Sequence, residues 1–393
     1  MRRQRGLERA QPVTQSPQQV IMKSYFWPSS AVWETTLACN LRCRHCGSIA
    51  GHVRDDELTT AEALDVCDQL LEMSCIRVIL SGGETLLRPD WPLLARRLLE
   101  GRAAVGIISN GLKIVQDPAT LDELTALRSV RGGVTVGISI DGLETVHDSI
   151  RSPGSFAAAV AAVDALCSRQ IPVVILSTVH HLNINDMRPL RDQVVFPREV
   201  YAWQMQTPNH YGRMRNHREW YLSRAEYLEV LDLMVESRRL RQSKPRTDPA
   251  DCMGYLGARE ADLRERPWHG CQAGLRAIGI QSNGNIKGCL SLLDDMFVEG
   301  NIRLSRLQEI WDREGAFAYN RDFNPSLLEG MCAGCQHGQQ CYAGCRAVAH
   351  SVTGHLYRAP YCEYGFDIHP ADQSTADWPL LAVESNNLST QGD

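Results

Sequence analysis

Three cysteines stand close together early in the chain, at Cys39, Cys43 and Cys46, within the stretch ACNLRCRHCGS. Thiolates at this C-x3-C-x2-C spacing are typical metal ligands. Zinc and ordinary iron–sulfur sites, however, usually take four protein ligands, and no fourth cysteine lies nearby in the sequence. Three interpretations follow: a metal centre with one position left for another molecule, a zinc site completed by a distant residue, or a set of buried thiols.

Seven further cysteines form a second pattern towards the other end of the chain: Cys271, Cys289, Cys332, Cys335, Cys341, Cys345 and Cys362. Gly284 lies between the first two, and the next four follow a C-x2-C-x5-C-x3-C spacing. Two independent zinc knuckles would not require these spacings, so the pattern indicates one larger metal-binding region. Cys67, Cys75 and Cys167 are predicted to be small core residues, which leaves Cys252 open to a role.

The composition restricts the class of protein. Fourteen cysteines in 393 residues, without a signal peptide, indicate metal binding rather than disulfides and favour a reducing, cytoplasmic compartment. The basic start, MRRQRG, is followed by polar sequence, and no stretch is long and apolar enough to span a membrane. A net charge of −5 and a pI near 6.2 argue against binding to nucleic acid or to a membrane surface.

The elements that must position these cysteines form an α/β pattern. Six short apolar segments alternate with amphipathic ones, the first of which opens with a capping box at Thr59 and Glu62. This alternation predicts parallel strands with crossover helices, and six units fit a partial (β/α)6 barrel like part of a TIM barrel, although an open sheet has the same periodicity. The predicted strands are 31–36, 76–82, 104–110, 134–141, 172–178 and 201–207.

The domain organisation follows from the same pattern and from the cysteine spacing. A barrel comes first, a bridging helix and linker follow, and a small cysteine-rich domain completes the ordered chain. The two ends are polar with few apolar anchors, which predicts poor order. The predicted ranges are 1–27, 28–220, 221–251, 252–365 and 366–393.

Polar residues or glycines lie at or near the end of every predicted strand. In barrel enzymes chemistry collects where the strands end, so these residues predict a site at that face. They are Ser81–Glu84, Ser109–Gly111, Ser139–Gly142, Thr178 with His180, and Gln204 with Gln206.

The CNLRCRHC motif after a first strand, followed by a Gly-Gly-Glu turn, resembles the radical S-adenosylmethionine (SAM) enzymes. The resemblance implies that Cys39, Cys43 and Cys46 bind three irons of a [4Fe–4S] cluster, and that SAM binds the fourth iron. Reductive cleavage of SAM then gives methionine and a 5′-deoxyadenosyl radical. The vacant ligand position would thus be the place of the cosubstrate.

The same resemblance implies the SAM contacts. It assigns the methionine amino group to the Gly-Gly-Glu turn, the carboxylate to a cation, and the ribose to the turn after the fourth strand. The assigned residues are Gly82, Gly83, Glu84, Asn110, Ser139, Asp141 and Arg151. Asn110 would bind ribose or order a loop, a surface ion pair remains an alternative for Arg151, and Thr85 stands where the family often has proline.

The seven later cysteines are similar to the SPASM extension, which binds two auxiliary iron–sulfur clusters, expected to be [4Fe–4S] and to bring the total to three. The resemblance assigns Cys332, Cys335, Cys341 and Cys362 to the distal cluster. The nearer cluster takes Cys271, Cys289 and Cys345. Its fourth position is either ligated by Cys252 or open, and the sequence favours an open position.

SPASM enzymes mostly modify peptides, so the resemblance predicts an oxidative change in a ribosomally made precursor peptide: a crosslink, thioether or carbon–carbon bond. Leu290 replaces the aspartate base of sulfatase-maturing members, which disfavours that activity. The roughly 30 residues before the first strand predict no leader-binding domain, so a separate leader-binding protein or direct recognition is expected. A flavodoxin or ferredoxin would supply electrons. The alternatives are a small-molecule or tetrapyrrole substrate, and a non-catalytic iron–sulfur protein.

Overall fold

The computed structural model describes residues 26–130, 132–240 and 245–366. The strands of this part are β1 (Ser30–Thr36), β2 (Arg77–Gly82), β3 (Ala104–Ser109), β4 (Val134–Ser139), β5 (Val173–Thr178), β6 (Ala202–Gln206), β7 (Arg246–Pro249), β8 (Ala277–Ile280), β9 (Asn285–Lys287), β10 (Gly300–Asn301), β11 (Tyr361–Cys362) and β12 (Gly365–Phe366). Ten of them form one sheet in the order β10-β9-β8-β1-β2-β3-β4-β5-β6-β7, and β11 pairs with β12.

The six predicted strands are confirmed, each within two residues of its predicted ends. They pair in sequence order and in parallel, as the alternation of apolar and amphipathic segments requires. Their central side chains, such as Leu80, Ile107, Val136 and Ile175, are fully buried. Because neighbouring strands run in parallel, all six carboxyl ends lie at the same edge of the sheet.

Helices connect and cover the strands. They are α1 (Thr60–Glu72), α2 (Trp91–Glu100), α3 (Leu112–Gln116), α4 (Pro118–Arg128), α5 (Glu144–Ile150), α6 (Ser155–Ser168), α7 (Met187–Leu190), α8 (Arg224–Leu240), α9 (Glu260–Leu263), α10 (Leu307–Asp312), α11 (Ala318–Arg321), α12 (Gly338–Cys341) and α13 (Arg346–Thr353). The predicted capping box is present at the start of α1: Glu62 N–H donates to Thr59, and Thr59 N–H donates to Glu62.

The sheet continues beyond the six predicted strands on both sides. The segment predicted as bridging helix and linker contains α8 and then β7, which pairs in parallel with β6. From the cysteine-rich region, β8 pairs in parallel with β1, and β9 and β10 follow antiparallel. The sequence-based prediction missed these strands because they are only two to four residues long. The cysteine-rich region is therefore joined to the barrel by main-chain hydrogen bonds.

The predictions for the two ends of the chain fall on residues 1–25 and 367–393, outside the described residues, apart from Phe26, Trp27 and Phe366 at their borders. In the described part of the chain, no helix combines the length and apolarity needed to cross a membrane. Of the cysteines predicted to be core residues, Cys67 and Cys75 are buried and Cys167 is half-buried.

Candidate functional site

The first three cysteines lie on a loop that leaves the carboxyl end of β1. Arg213, which follows β6, ties this loop down: its Nε donates to the carbonyl of Cys43 over 2.8 Å and its backbone N–H to the carbonyl of Cys46 over 3.0 Å. Burial, with smaller contributions from Glu84, Cys43 and Cys46, raises the pKa of the Cys39 thiol to about 11. A bound cation would therefore be needed to hold Cys39 as a thiolate at neutral pH.

The Gly-Gly-Glu turn presses directly against the start of this loop. Gly83 N–H donates to the carbonyl of Thr36, and Glu84 N–H donates to the carbonyl of Ala38. A Cβ at Gly82 would lie 2.2 Å from the Thr36 carbonyl oxygen, and one at Gly83 would lie 2.2 Å from that of Ala38. Gly82 also has a φ of +139°. Only glycine allows this close approach, which sets the turn beside Cys39.

Glu84 is almost fully buried below that loop. Its carboxylate accepts hydrogen bonds from the backbone N–H groups of Asn110, over 2.8 Å, and Leu86. Burial raises the pKa of Glu84 to about 7, and these hydrogen bonds limit the rise. The Asn110 side chain donates to Asn40 of the cysteine loop over 2.7 Å. Its role, in binding ribose or in ordering a loop, stays a prediction.

Asp141 and Arg151 form a buried ion pair next to Cys43. Arg151 Nε donates to Asp141 over 2.6 Å, and another guanidinium nitrogen lies 3.9 Å from the Cys43 sulfur, so the pair is not on the surface. The other Asp141 oxygen accepts from Thr178 N–H. Each Asp141 oxygen thus accepts one hydrogen bond from the protein, and the ribose contact stays a prediction. Ser139, at the end of β4, is half-buried.

The charge state of this pair follows from its surroundings. Burial alone would raise the pKa of Asp141, but Arg151, followed by His45 and His147, outweighs burial and holds the pKa well below its usual value. Asp141 therefore remains ionised and orients the Arg151 guanidinium towards the cysteine loop.

Three largely buried histidines lie at this edge of the sheet, and none of them was assigned a contact with SAM, although His180 is one of the residues at the predicted strand ends. Both ring nitrogens of His180 and His210 and Nδ1 of His45 lack hydrogen-bond partners within the described residues. Burial lowers their pKa values to about 4, 3 and 3 respectively, so the rings are neutral. Their position in the sequence could have indicated a role in the site, because His180 and His210 closely follow the ends of β5 and β6. Unpartnered buried imidazoles are suited to meeting a polar ligand.

The four cysteines assigned to the distal cluster line one cavity of about 260 Å³. Cys332, Cys335, Cys341 and Cys362 converge there with small residues such as Gly334 and Gly338, which leave space between the thiols. Ala359 N–H donates to the Cys332 sulfur over 3.5 Å, a contact typical of cluster ligands. This cradle suits a multi-iron cluster in its size and its donor atoms.

The cysteines assigned to the nearer cluster are mutual neighbours, and Cys252 is among them. Burial is the main reason why the pKa of Cys345 is raised. The nearby thiols of Cys271, Cys252 and Cys289 each raise it as well. Cys252 and Cys345 also line one small cavity together. Within the described residues, no three cysteine, histidine, aspartate or glutamate side chains lie close enough to share one metal ion. The evidence that these cysteines can hold iron–sulfur clusters is therefore the cavities that they line and the way in which they group together.

One segment, Thr207–Arg213, joins the two sets of cysteines. Thr207 hydrogen-bonds with the Cys252 sulfur, and His210 N–H donates to Ser351 of α13. At the other end, a Cβ on Gly212 would lie 2.1 Å from the Gly47 carbonyl oxygen. Between them, Tyr211 contacts Nδ1 of His350, which lies 3.4 Å from Asp294. The segment Thr207–Arg213 thus contacts both the cysteine loop after β1 and the SPASM region, and it places polar side chains between them.

A parallel α/β sheet with a three-cysteine loop at its carboxyl edge, followed by a cysteine-rich extension, defines an iron–sulfur enzyme of the SAM-cleaving class. Residues 33–194 match the family model of the Radical SAM superfamily, and residues 271–336 match that of SPASM, an iron–sulfur cluster-binding domain. The chain therefore belongs to the radical SAM superfamily, carries a SPASM domain and is an enzyme.

The chain is similar to named relatives along most of its length. It is 29% identical to an AdoMet-dependent heme synthase of Methanosarcina barkeri, covering 86% of this chain and 97% of that protein. It is 27% identical to the mycofactocin maturase MftC of Mycobacterium tuberculosis, covering 81% of this chain and 78% of that protein. Among solved structures, Streptococcus suis SuiB bound to its precursor peptide SuiA shares the fold, with a TM-score of 0.69 at 15% identity over 86% and 77% of the two chains.

Proposed function

We propose that this enzyme uses the radical made from SAM to remove hydrogen from a ribosomally made peptide and installs an oxidative change, such as a crosslink. The observation that carries the proposal is the pairing of a three-cysteine loop, set beside the Gly82–Glu84 turn, with two further groups of cysteines. When bound, SAM and its cluster supply the radical chemistry.

Glu84 and Arg151 are assigned to hold the two ends of the methionine moiety. Glu84 is the buried carboxylate beside Cys39 and would accept hydrogen bonds from the amino group. Arg151, held by Asp141, has a guanidinium nitrogen near the Cys43 sulfur and would donate to the carboxylate. The neutral rings of His45, His180 and His210 would meet the nucleoside or the substrate.

Cys39, Cys43 and Cys46 are assigned to the SAM-binding cluster and Cys332, Cys335, Cys341 and Cys362 to the distal one. For the nearer cluster we assign four ligands, Cys252, Cys271, Cys289 and Cys345, rather than an open position. The support for Cys252 is that its thiol lies close enough to those of Cys345 and Cys289 for their charges to interact. A fully ligated cluster suits electron transfer better than substrate binding.

A peptide substrate is supported by the relatives named mycofactocin maturase and by the shared fold of SuiB with its bound precursor peptide. The proposed partners are therefore a precursor peptide, a leader-binding protein where the enzyme does not bind the peptide itself, and a flavodoxin or ferredoxin as reductant. The cytoplasm is the proposed compartment.

The test is co-expression with short peptides encoded beside this protein, followed by mass spectrometry. We expect a peptide that has lost two hydrogens per bond formed, with the change located by fragmentation. A Cys39→Ala variant is the matched control and should leave the peptide unchanged. No change in any neighbouring peptide, with active SAM cleavage, would contradict the peptide assignment.

A second candidate is a tetrapyrrole substrate, since relatives of comparable sequence identity are named AdoMet-dependent heme synthase and pre-heme d1 synthase. Anaerobic incubation of the reconstituted enzyme with SAM, reductant and haem precursors distinguishes the two. Decarboxylated or oxidised porphyrin, found by chromatography and mass spectrometry, would favour the tetrapyrrole, and unchanged precursor would favour the peptide.

A further inference from the structure

A fully buried arginine lies between the two groups of SPASM cysteines. Arg346 directly follows Cys345 and begins α13, and its side chain is 0% exposed. One guanidinium nitrogen, Nη1, donates to the carbonyls of Tyr342 and Leu356. Nε and Nη2 have no hydrogen-bond partner among the described residues. Two charged N–H-bearing nitrogens are thus buried without acceptors.

Arg346 also lacks an acidic partner. Across the part of the chain that the structure describes, no aspartate or glutamate lies within ion-pair distance of its guanidinium. Arg264 of the same region, in contrast, forms an ion pair with Glu260. The ionisable groups nearest to it are instead the thiols of Cys271, Cys345 and Cys341, together with the Tyr357 hydroxyl. The first two belong to the nearer set and the third to the distal set.

The surroundings do not otherwise stabilise a cation strongly. The guanidinium lies over the rings of Tyr357, at 4.5 Å, and Phe323, at 5.2 Å, and burial lowers the pKa of Arg346. Aromatic faces offset only part of the loss of hydration, so a buried guanidinium requires an anion nearby. An iron–sulfur cluster held by four thiolates carries a net negative charge and meets that requirement.

The backbone beside Arg346 is held in an unusual shape. Tyr342, Ala343 and Gly344 all have positive φ values, of 58°, 59° and 70°, between Cys341 and Cys345. Left-handed residues normally occur singly, and such strain persists where the surroundings impose it. The bond from Arg346 to the Tyr342 carbonyl fixes this segment, which directs the two cysteines into different sites.

We propose that Arg346 is the buried counter-charge shared by the two auxiliary clusters and that it raises the reduction potential of both. This inference rests on the cluster ligands assigned above. A fixed positive charge favours the reduced, more negative state of a nearby cluster. Arg346 thereby makes both clusters better acceptors for the electron released when a substrate is oxidised, and it acts as a positioning and tuning residue.

The test is an anaerobic redox titration of the reconstituted full chain, followed by electron paramagnetic resonance. In Arg346→Gln we expect the potentials of both auxiliary signals to fall, with at least a tenfold change in the reduction equilibrium, or about 59 mV for one electron. Arg346→Lys keeps the charge and should shift them much less. The SAM-binding cluster should keep its potential in both variants.

Arg321→Gln is the matched control. Arg321 is a partly buried arginine of the same region. It donates to the carbonyls of Gly274 and Trp311 and has Asp312 and Glu299 as acidic neighbours. Arg321→Gln should leave the auxiliary potentials unchanged. A shift seen only in Arg346→Gln would then depend on where the charge lies and not merely on the loss of an arginine.

Each remaining outcome decides the matter. Unchanged potentials in Arg346→Gln, or equal shifts in the Gln and Lys variants, would overturn the proposal. Loss of auxiliary iron in Gln but not in Lys would support it. Loss in both would overturn it, because the bonds to Tyr342 and Leu356 would then be what the site requires. A wild-type chain with only about four irons would refute the ligand assignment itself.

Discussion

At the scale of single residues, the candidate site depends on charges that burial forces into defined states. Glu84 has its pKa raised to about 7, whereas Asp141 stays ionised because Arg151 lies against it. The resemblance to the radical SAM enzymes was enough to select both carboxylates from the sequence. It could not reveal that Asp141 already uses both oxygens, because its partners Thr178, Arg151 and His45 come from three separate segments of the chain.

The binding of SAM should depend on pH through Glu84. Its carboxyl group is protonated below about pH 7 and ionised above it, and only the ionised form attracts an ammonium group. We therefore expect SAM affinity, measured by equilibrium dialysis of the reconstituted enzyme, to rise from about pH 6 to about pH 8. Glu84→Gln should flatten this dependence, while Asp164→Asn, in an exposed ion pair, should keep it.

The same ionisation should appear in protein stability without SAM. Because the pKa of Glu84 is raised in the folded state, its stabilising contribution is complete below the unfolded value, 4.5, and is lost as pH rises through about 7. Glu84→Gln should lack this loss. If urea unfolding of both proteins changed in parallel over that interval, the buried carboxyl would not be the group involved.

Arg151 should matter for SAM binding more than exposed arginines do. Loss of a charge-assisted hydrogen bond of about 1.5–3 kcal/mol predicts a roughly 10- to 100-fold weaker affinity for Arg151→Gln at unchanged iron content. Arg169→Gln, which removes an exposed ion pair with Asp122, is the control and should bind SAM normally. Equal affinities in the two variants would remove Arg151 from the SAM site.

At the scale of elements, the six parallel strands could be predicted because each is a run of apolar residues followed by polar or glycine residues. The prediction failed for β7 and β8, whose short sequences, RTDP and AIGI, carry too little periodicity. Their pairing with β6 and β1 depends on long-range contacts. The same holds for the Thr207–Arg213 segment, whose partners Cys252, Ser351 and Gly47 are distant in sequence.

The turn after β2 should not accept a side chain. In Gly83→Ala the added methyl group would lie 2.2 Å from the Ala38 carbonyl oxygen, so the cysteine loop must shift. We expect a loss of about 1–3 kcal/mol in the free energy of unfolding, together with loss of the SAM-binding cluster. Gly51→Ala, in the same loop with nothing within 4 Å, is the control and should keep both. Full iron in Gly83→Ala would contradict this geometry.

At the scale of the whole molecule, the cysteines divide into three groups, with Cys67, Cys75 and Cys167 left over. The sequence was enough to separate the cysteines assigned as ligands from those predicted for the core, because the former follow motif spacings and the latter lie on or just after apolar helices. It could not decide the role of Cys252. Its grouping with Cys289 and Cys345 depends on how the segment after β7 packs beside the SPASM region.

Cys252→Ala should therefore alter the nearer auxiliary cluster. We expect iron to fall from about 12 per chain and the resonance signal of one cluster to change. Cys75→Ala removes another largely buried thiol, one that donates to the carbonyl of Arg77, and should keep the full iron content. Identical iron and spectra in wild type and Cys252→Ala would restore the open position that the sequence favours.

The most direct test of the enzyme's central chemistry is the formation of 5′-deoxyadenosine from SAM by the anaerobically reconstituted chain. We predict reductant-dependent formation with about 12 irons bound, none in Cys39→Ala, and partial retention in Cys335→Ala, which disturbs only the distal site. Bound zinc instead of iron, or no cleavage of SAM by the fully loaded wild-type protein, would contradict it.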